Sequence, residues 1–408
     1  MAFLYNLGIR LYVLAVRVAA IGNAKAAKWV EGRKKHSALN RSLPPKKAKR
    51  IWFHISSLGE FEQAKPLLLR LKDSHELVIT FFSPSGFESG KAQKLTEWVF
   101  YLPVDTRVNM KECVEKLDAD LVILVKYDFW YHLIHQCHLA GVPVVAIAAL
   151  FGADHAYFKP YSRFFLNMLK EVSHFCTHNE ETLEVLKTHG IDQSTLCGDT
   201  RVDSVVISQG EKEIPENITG FIGDKPCLLL GSSYQKEESL VHKALQTGSL
   251  AQWKVIIAPH NIAQGRLDEI KRLYGDNCAF WSTIEDSDFN KPVLIIDSIG
   301  WLMHLYAKCD VAFVGGGFGK TVHNTLEPAA YGVPILLGPN FQRFVEAVTM
   351  VENEGAFVVN SLEVFKLRMR ELEKEGLRDV AGNKCAEYIA QNSGATDRTL
   401  RVIDTFIQ

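Results

Sequence analysis

At 408 residues the chain is too long for one ordinary hydrophobic core, so two domains are expected. Apolar residues make up 47% and charged ones 23%, the balance of a globular protein, which excludes a disordered chain. The net charge is only −1, but residues 1–50 hold twelve Lys and Arg against one acid, Glu31, so a segment of +11 precedes a remainder of −12 and suggests an anionic surface as its partner.

Eight cysteines are scattered without a CxxC pair, several in apolar runs such as Cys227 in KPCLLL. That usage suits reduced, buried thiols in a cytosolic setting and argues against disulfides or a zinc site.

Residues 3–21 are mostly apolar but interrupted by Asn6, Arg10 and Arg17. A spanning helix wants about 20 apolar residues with few charges. The two arginines are seven apart, on one helical face. The expectation is a helix lying in a membrane interface, with the basic residues 25–50 on acidic headgroups. A signal peptide is not expected, because no small-residue cleavage site is followed by an exported-looking domain. A helix packed on the protein itself, with a solvated basic tail, is the plain alternative. A nucleic-acid arm is disfavoured, because the segment lacks interleaved aromatics beyond Trp29.

Residues 51–72, IWFHISSLGEFEQAKPLLLRLK, read as a buried strand, a polar turn and a helix. Gly59 suits a sharp turn, and Ser56 and Ser57 leave room for a ligand. Glu60 then stands at the carboxyl end of a strand, where open α/β sheets place reactive groups. It would equally decorate a helix N-terminus, where acids are favoured.

Strands are expected at 51–55, 77–82, 99–101, 121–126, 144–149, 174–177 and 195–197, separated by helical segments, which indicates a parallel sheet. Residues 209–225 are polar with Pro and Gly and read as a linker. The alternation restarts with strands at 227–230, 253–258, 293–296, 311–314, 335–337 and 357–359. Helices are expected at 237–246, 264–273, 300–307, 324–331, 361–375 and 380–391. The expected organisation is a membrane-associating segment at 1–48, an acceptor-side domain at 49–208, the linker, and a nucleotide-binding domain at 226–408. The architecture is two Rossmann-like, doubly wound α/β domains facing a cleft.

Residues 311–339, VAFVGGGFGKTVHNTLEPAAYGVPILLGP, carry the densest signal. A strand runs into Gly315, Gly316 and Gly317, and glycines let backbone N–H groups approach a phosphate near a helix start. A P-loop would need glycine at Val314, and the dinucleotide fingerprint would need it at Lys320, so both fail, and with the second a dinucleotide oxidoreductase is disfavoured. The loop alone indicates an anion site or simply a tight strand-to-helix turn. Glu327, one turn into the next helix, suits two vicinal ribose hydroxyls or a cap. Ser232 and Ser233 after residues 227–230 suit a phosphate or an N-cap. His260 in APH and Gly300 in DSIGWL also end strands, so several strand ends converge on one nucleotide-sized crevice if the sheet is parallel.

Together these motifs resemble the 3-deoxy-D-manno-octulosonic acid (Kdo) transferases of lipopolysaccharide assembly, inverting glycosyltransferases of the two-Rossmann GT-B type. WFHISSLGE at 52–60 is similar to the family's WxHxxSxGE. The resemblance continues through CGDTRVD at 197–203, GSS with Glu237 and Glu238, APH at 258–260, DSIGWL at 297–302 and HNTLEPAAYGVPILLGP at 323–339. It implies CMP-Kdo as donor, a lipid A precursor (lipid IVA type) in the membrane as acceptor, no metal or other cofactor, and the cytoplasmic face of a Gram-negative inner membrane. By the motif matches it implies Glu60 as catalytic base. Donor contacts fall on Ser232, Ser233, His260, Gly300, Asn324 and Glu327, beside the Gly315–Gly317 loop. Ser56, Ser57, Gly59 and Lys126 are acceptor-side candidates. Two departures fall on that side: Lys126 and Tyr131 stand where the family's ExExWP has an acid and proline, and Gly152 in ALFGADH offers no side chain. A UDP-sugar transferase of the same fold and a membrane-bound nucleotide-binding scaffold are the competing readings.

Overall fold

The computed structural model describes residues 1–40, 42–210 and 212–407; Arg41 of the basic segment, Glu211 of the expected linker and the terminal Gln408 lie outside the described residues. The chain forms two compact units, Met1–Ser204 with Ser393–Gln408, and Val205–Asn392.

The first unit is built on seven parallel strands: β1 (Arg50–Ile55), β2 (Glu76–Phe81), β3 (Val99–Tyr101), β4 (Leu121–Val125), β5 (Val144–Ala149), β6 (His174–Thr177) and β7 (Ser194–Leu196). Their order is β3-β2-β1-β4-β5-β6-β7. Each expected strand is present, with ends shifted by a residue at most. β1 is buried at every position, because helices cover both faces of a parallel sheet. Trp52 joins Val78, Val122 and Leu124 on one face. Ile51, Phe53 and Ile55 join Ile79, Phe81 and Ile123 on the other.

The second unit repeats the plan with β8 (Cys227–Ser233), β9 (Lys254–Pro259), β10 (Cys278–Phe280), β11 (Val293–Ile295), β12 (Val311–Val314), β13 (Ile335–Leu337) and β14 (Ala356–Val358). The order is β10-β11-β9-β8-β12-β13-β14. β10 was not expected: three residues, CAF, are too short to show a period.

Two expected boundaries are corrected. Within the expected linker, Glu216–Ile222 is a helix, and Ile218, Phe221 and Ile222 enter the second unit's core. Their i, i+3, i+4 spacing is a short apolar stripe inside polar composition. At the other end, the unit expected to bind the nucleotide stops at Asn392 rather than 408. The helix Ala395–Ile407 returns to the first unit, where Ile403 and Ile407 pack with Phe61 and Leu68. CGDTRVD holds this return. Asp203 accepts the N–H groups of Gly394 at 2.7 Å and Thr396 at 2.5 Å, and Arg398 Nε donates to the Cys197 carbonyl at 2.7 Å. All eight cysteines are free.

The N-terminal helix Ala2–Ala19 is long and apolar enough to cross a membrane and has no fully buried residue. It is nevertheless pegged to the first unit along one face. Tyr5 Oη donates to Asp105 Oδ2 at 2.5 Å, Asn6 Oδ1 lies 2.6 Å from His132 Nε2, and the Tyr12 ring packs edge-on against Trp29. The opposite face exposes Phe3, Leu4, Leu7, Leu11, Leu14 and Val18.

Asp203→Ala should lower the urea midpoint by the equivalent of about 1–2 kcal/mol, as for a lost helix cap. Asp203→Asn, which keeps one acceptor, should fall between the variant and the wild type, both followed by circular dichroism.

Candidate active site

In the first sheet the strand order reverses between β1 and β4; in the second the central reversal lies between β8 and β12, with β11 inserted between β9 and the edge strand β10. Open parallel sheets bind ligands in the crevice outside the strand carboxyl ends at such a reversal. Glu60 follows β1, and Lys126 to Trp130 follow β4. Ser232 and Ser233 close β8, and Gly315 to Gly317 follow β12.

In the first unit, Ser57 is the N-cap of the helix Leu58–Leu71, and its N–H donates to Glu60 Oε2 at 2.9 Å. Glu60 therefore does cap a helix, but it is also half-buried, and its carboxyl is raised above the ordinary value. Burial is the main cause and the charge of Asp128 the next, partly offset by hydrogen bonds from Ser57 and Ser56. Gly59 does not make the turn expected of it. It lies inside the helix without a left-handed backbone, and a Cβ there would meet nothing within 4 Å. Ser56 is half-exposed, and its carbonyl accepts the Ser83 N–H at 3.0 Å. Lys126 takes a left-handed backbone, φ +63°, and its ammonium lies 5.3 Å from the Tyr127 ring centre.

The sequence reading missed the buried group behind Glu60. His54, fully buried on β1, has Nε2 2.8 Å from Asp128 Oδ2 and 3.1 Å from Trp130 Nε1, and Nδ1 2.9 Å from Thr80 Oγ1. Trp52 Nε1 donates to the same Thr80 hydroxyl at 2.8 Å. His54 stands within the WxHxxSxGE match, and Asp128 and Trp130 within the segment compared with ExExWP, so the signal was present as two separate motifs.

In the second unit the glycines meet steric need as well as ligand access. A Cβ on Gly315 would lie 2.2 Å from the Ser232 carbonyl oxygen, and one on Gly317 would lie 2.6 Å from the Gly338 nitrogen. Gly316 has φ +90°, and its N–H donates to Glu237 Oε1 at 2.8 Å. Ser232 is itself left-handed, φ +51°, at a bulge where the β8–β9 register shifts. Ser233 is buried, and its hydroxyl donates to Glu238 Oε1 at 2.8 Å, while Arg266 pairs with the other Glu238 oxygen. The Ser233 hydroxyl thus serves the fold, not an exposed phosphate cradle.

A cavity of about 730 Å³ opens beside the glycine loop, lined by Ser233, His260 and Gly316 together with Tyr234, Lys320 and His323. Tyr234 stacks on both imidazoles, with ring centres 5.0 Å from His260 and 5.6 Å from His323. Burial, and then the charge of His260, lower His323 below the ordinary histidine value. Tyr234 and His323 flank motifs already singled out, but their contact is tertiary. Ser232, Gly300, Gly315, Gly317, Asn324 and Glu327 do not line this cavity. Gly300, φ +87°, gives its carbonyl to Lys212 Nζ at 2.9 Å. The helix expected at 324–331 is only Leu326–Ala330, a single turn carrying Pro328 and ended by Gly332 at φ +65°. Asn324 lies just before it: Oδ1 accepts the Leu326 N–H at 3.1 Å, and Nδ2 donates to Glu327 Oε1 at 3.0 Å. Among the described residues, no three His, Cys, Asp or Glu side chains converge as a metal site.

Two parallel sheets with polar crevices at their strand-order reversals define an α/β glycosyltransferase-type fold. Solved structures share it: a UDP-GlcNAc 2-epimerase from Neisseria meningitidis bound to UDP-GlcNAc (TM-score 0.61, 14% identity, 87% of this chain and all of that one, 100%) and a glycosyltransferase from Rickettsia africae (TM-score 0.59, 11% identity, 89% and 100%). In sequence, residues 30–204 match the family described as 3-deoxy-D-manno-octulosonic-acid transferase (kdotransferase). The 3-deoxy-D-manno-octulosonic acid transferase of Haemophilus influenzae is 28% identical over 388 residues, 90% of this chain and 89% of that protein. The Aquifex aeolicus enzyme of the same name is 28% identical over 311 residues, 75% and 80%. Over most of its length the chain is thus similar to Kdo transferases, which are glycosyltransferases.

The raised Glu60 carboxyl has a stability consequence. Its neutral form is favoured by the fold, so its contribution is present below the ordinary carboxylate range and is lost as pH rises through the raised value. Glu60→Gln stays neutral and can still accept the Ser57 N–H. The variant should melt above the wild type at about pH 8, and the gap should close near about pH 4. A pH-independent difference in calorimetry would contradict this.

Proposed function

We propose that the protein transfers Kdo from CMP-Kdo to a hydroxyl of a lipid A precursor of the lipid IVA type, with inversion, at the cytoplasmic face of the inner membrane. The observation that carries this reading is the raised, half-buried Glu60 carboxyl at the first sheet's strand-order reversal, in a chain of Kdo-transferase sequence. The names of the relatives support the sugar, and the motif matches support the donor nucleotide.

In this mechanism the acceptor oxygen forms a bond to the anomeric carbon of Kdo as the bond from that carbon to the CMP phosphate oxygen breaks. The hydroxyl proton passes to Glu60, and CMP leaves with the bonding pair. A base is useful when its ordinary acidity is shifted toward the working pH, and burial with Asp128 moves Glu60 in that direction. In the second unit, the loop Gly315 to Gly317 lets backbone approach the leaving phosphate closely, while the Gly315 N–H is held by the Gly231 carbonyl and the Gly316 N–H by Glu237. The His260 imidazole borders the cavity beside that loop. In this reading Asn324 and Glu327, which are bonded to one another, take the ribose hydroxyls.

The Ala2–Ala19 helix supports the membrane part of the reading. Its pegged face is taken by the first unit, and its free face is apolar. The basic helix Ala24–His36 follows it, with Arg33, Lys34, Lys35 and His36 in its last turn. An amphipathic arrangement of this kind inserts its apolar face into the headgroup boundary while cations attract anionic lipid.

Incubation with CMP-Kdo and a lipid A precursor, read by mass spectrometry, tests the activity, and protection against heat by CMP rather than UDP tests the donor. Glu60→Gln should reduce transfer by about 10²–10⁴-fold while CMP protection persists. Asp128→Asn, by removing a neighbouring negative charge, should move the acidic limb of the kcat/KM profile to lower pH. Near-normal turnover in Glu60→Gln would remove the base assignment.

Leu7→Glu combined with Leu14→Glu should abolish sedimentation with anionic vesicles without changing the melting temperature, because both side chains are exposed. Unchanged sedimentation would show that this face does not meet lipid.

A further inference from the structure

Two consecutive glutamates open the helix Gln235–Gln246, and their environments differ. Glu238 is fully buried with both carboxyl oxygens engaged, one by the Ser233 hydroxyl and one by Arg266. Glu237 is 1% exposed and forms part of the wall of the 730 Å³ cavity. Its Oε1 accepts the Gly316 N–H at 2.8 Å, whereas its Oε2 is buried without a hydrogen-bond partner. A buried acceptor left unsatisfied is costly, and native structures rarely keep one without a ligand or a role.

Lys236, Arg266, Lys320, His260 and His323 add cationic or protonatable groups to the same wall, among uncharged ones such as Asn261, Thr321 and Phe318. Arg266 is already committed to Glu238 and Glu269. Lys236 and Lys320 are exposed at the cavity. A pocket with cations and a lone carboxyl acceptor in its wall complements a ligand that carries both an acid group and hydroxyls. A fully ionised phosphate, which carries no donor, would leave Glu237 Oε2 unpaired. A sugar acid would not.

We infer that this cavity seats the sugar half of the donor, and that Glu237 Oε2 accepts a hydrogen bond from one of its hydroxyls, which makes Glu237 a specificity-determining residue. The inference rests on the donor reading proposed above. Through Oε1 the same carboxyl holds Gly316, so a hydroxyl bound at Oε2 is tied to the loop assigned to the leaving phosphate. Burial and the adjacent Glu238 raise the Glu237 carboxyl, while amides of Glu237 itself, Gly316 and Tyr234 oppose them; a hydroxyl donor at Oε2 adds to the opposing set. A donor lacking that hydroxyl leaves a buried acceptor unpaired, which is the situation in which polar sites discriminate most strongly.

The test uses the full-length protein with CMP, CMP-Kdo and CMP-linked analogues that each lack one sugar hydroxyl. Glu237→Gln keeps an acceptor for Gly316 N–H and replaces Oε2 with a donor group. CMP affinity by thermal shift should stay within about twofold, while the KM for CMP-Kdo rises about tenfold or more. In the wild type, one deoxy analogue should show a similar loss, and that analogue should lose little more in the variant. Equal losses for CMP and CMP-Kdo in Glu237→Gln would overturn the inference and make Glu237 a loop support only. So would a wild-type enzyme that accepts every deoxy analogue within twofold, a result that does not depend on the variant folding. Failure of CMP to protect the wild type would instead strike the donor reading itself, and this inference with it.

Discussion

The reversal of strand order is the constraint on which the rest depends. In parallel sheets crossovers are overwhelmingly right-handed, so chain that winds outward in both directions from the centre leaves adjacent loops diverging at one point. Here those points fall between β1 and β4, and between β8 and β12. The residues with chemistry follow these four strands: Glu60 after β1, Asp128 and Trp130 after β4, Tyr234 and Glu237 after β8, and the glycines after β12. No long-range pairing of motifs has to be specified separately. Once the apolar runs choose their strand order, the polar ends are brought together.

At both reversals a glutamate near a helix start is used in the same way. Glu60 holds the Ser57 amide and Glu237 holds the Gly316 amide, each through one oxygen. In both cases burial works against the charged form. The helix-start amides make burial tolerable, and the remaining oxygen is then held at a fixed position with its acidity altered. This is why the plain reading of Glu60 as a capping acid and the functional reading are not alternatives. The cap orients the carboxyl, and burial with Asp128 changes its proton affinity.

The strands were legible because each is an unbroken apolar run bounded by turn residues, as in LVILV of β4 and VAFV of β12. The polar groups at their ends were legible as types, but their engagements were not. Nothing local showed that the Ser233 hydroxyl is spent on Glu238, or that Gly59 lies within a helix rather than at a bend. Likewise, the pair His54 and Asp128 is 74 residues apart, and only the adjacency of β1 and β4 joins it. The CGDTRVD motif was legible as a signature, while its work, gripping a helix that begins 192 residues beyond Asp203, is purely tertiary. The missed boundary at Asn392 has the same origin, since an amphipathic helix carries no record of which core it will cover.

The N-terminal helix shows how a composition that permits spanning is restricted by specific contacts. Length and hydropathy alone allow Ala2–Ala19 to cross a bilayer. Asp105, however, is buried at the start of the helix Tyr131–Leu139, where it accepts the amides of His132 and Leu133 at 3.0 Å each. Burial raises its carboxyl to about 6, and the Tyr5 hydroxyl and the two amides oppose that rise. Withdrawing Tyr5 into hydrocarbon would strip one of these donors from a buried carboxyl and leave a phenol unpaired in lipid, two penalties in the same direction. The helix is therefore held with Tyr5 and Asn6 against the first unit. Only the face bearing Leu7, Leu11 and Leu14 remains for an apolar partner.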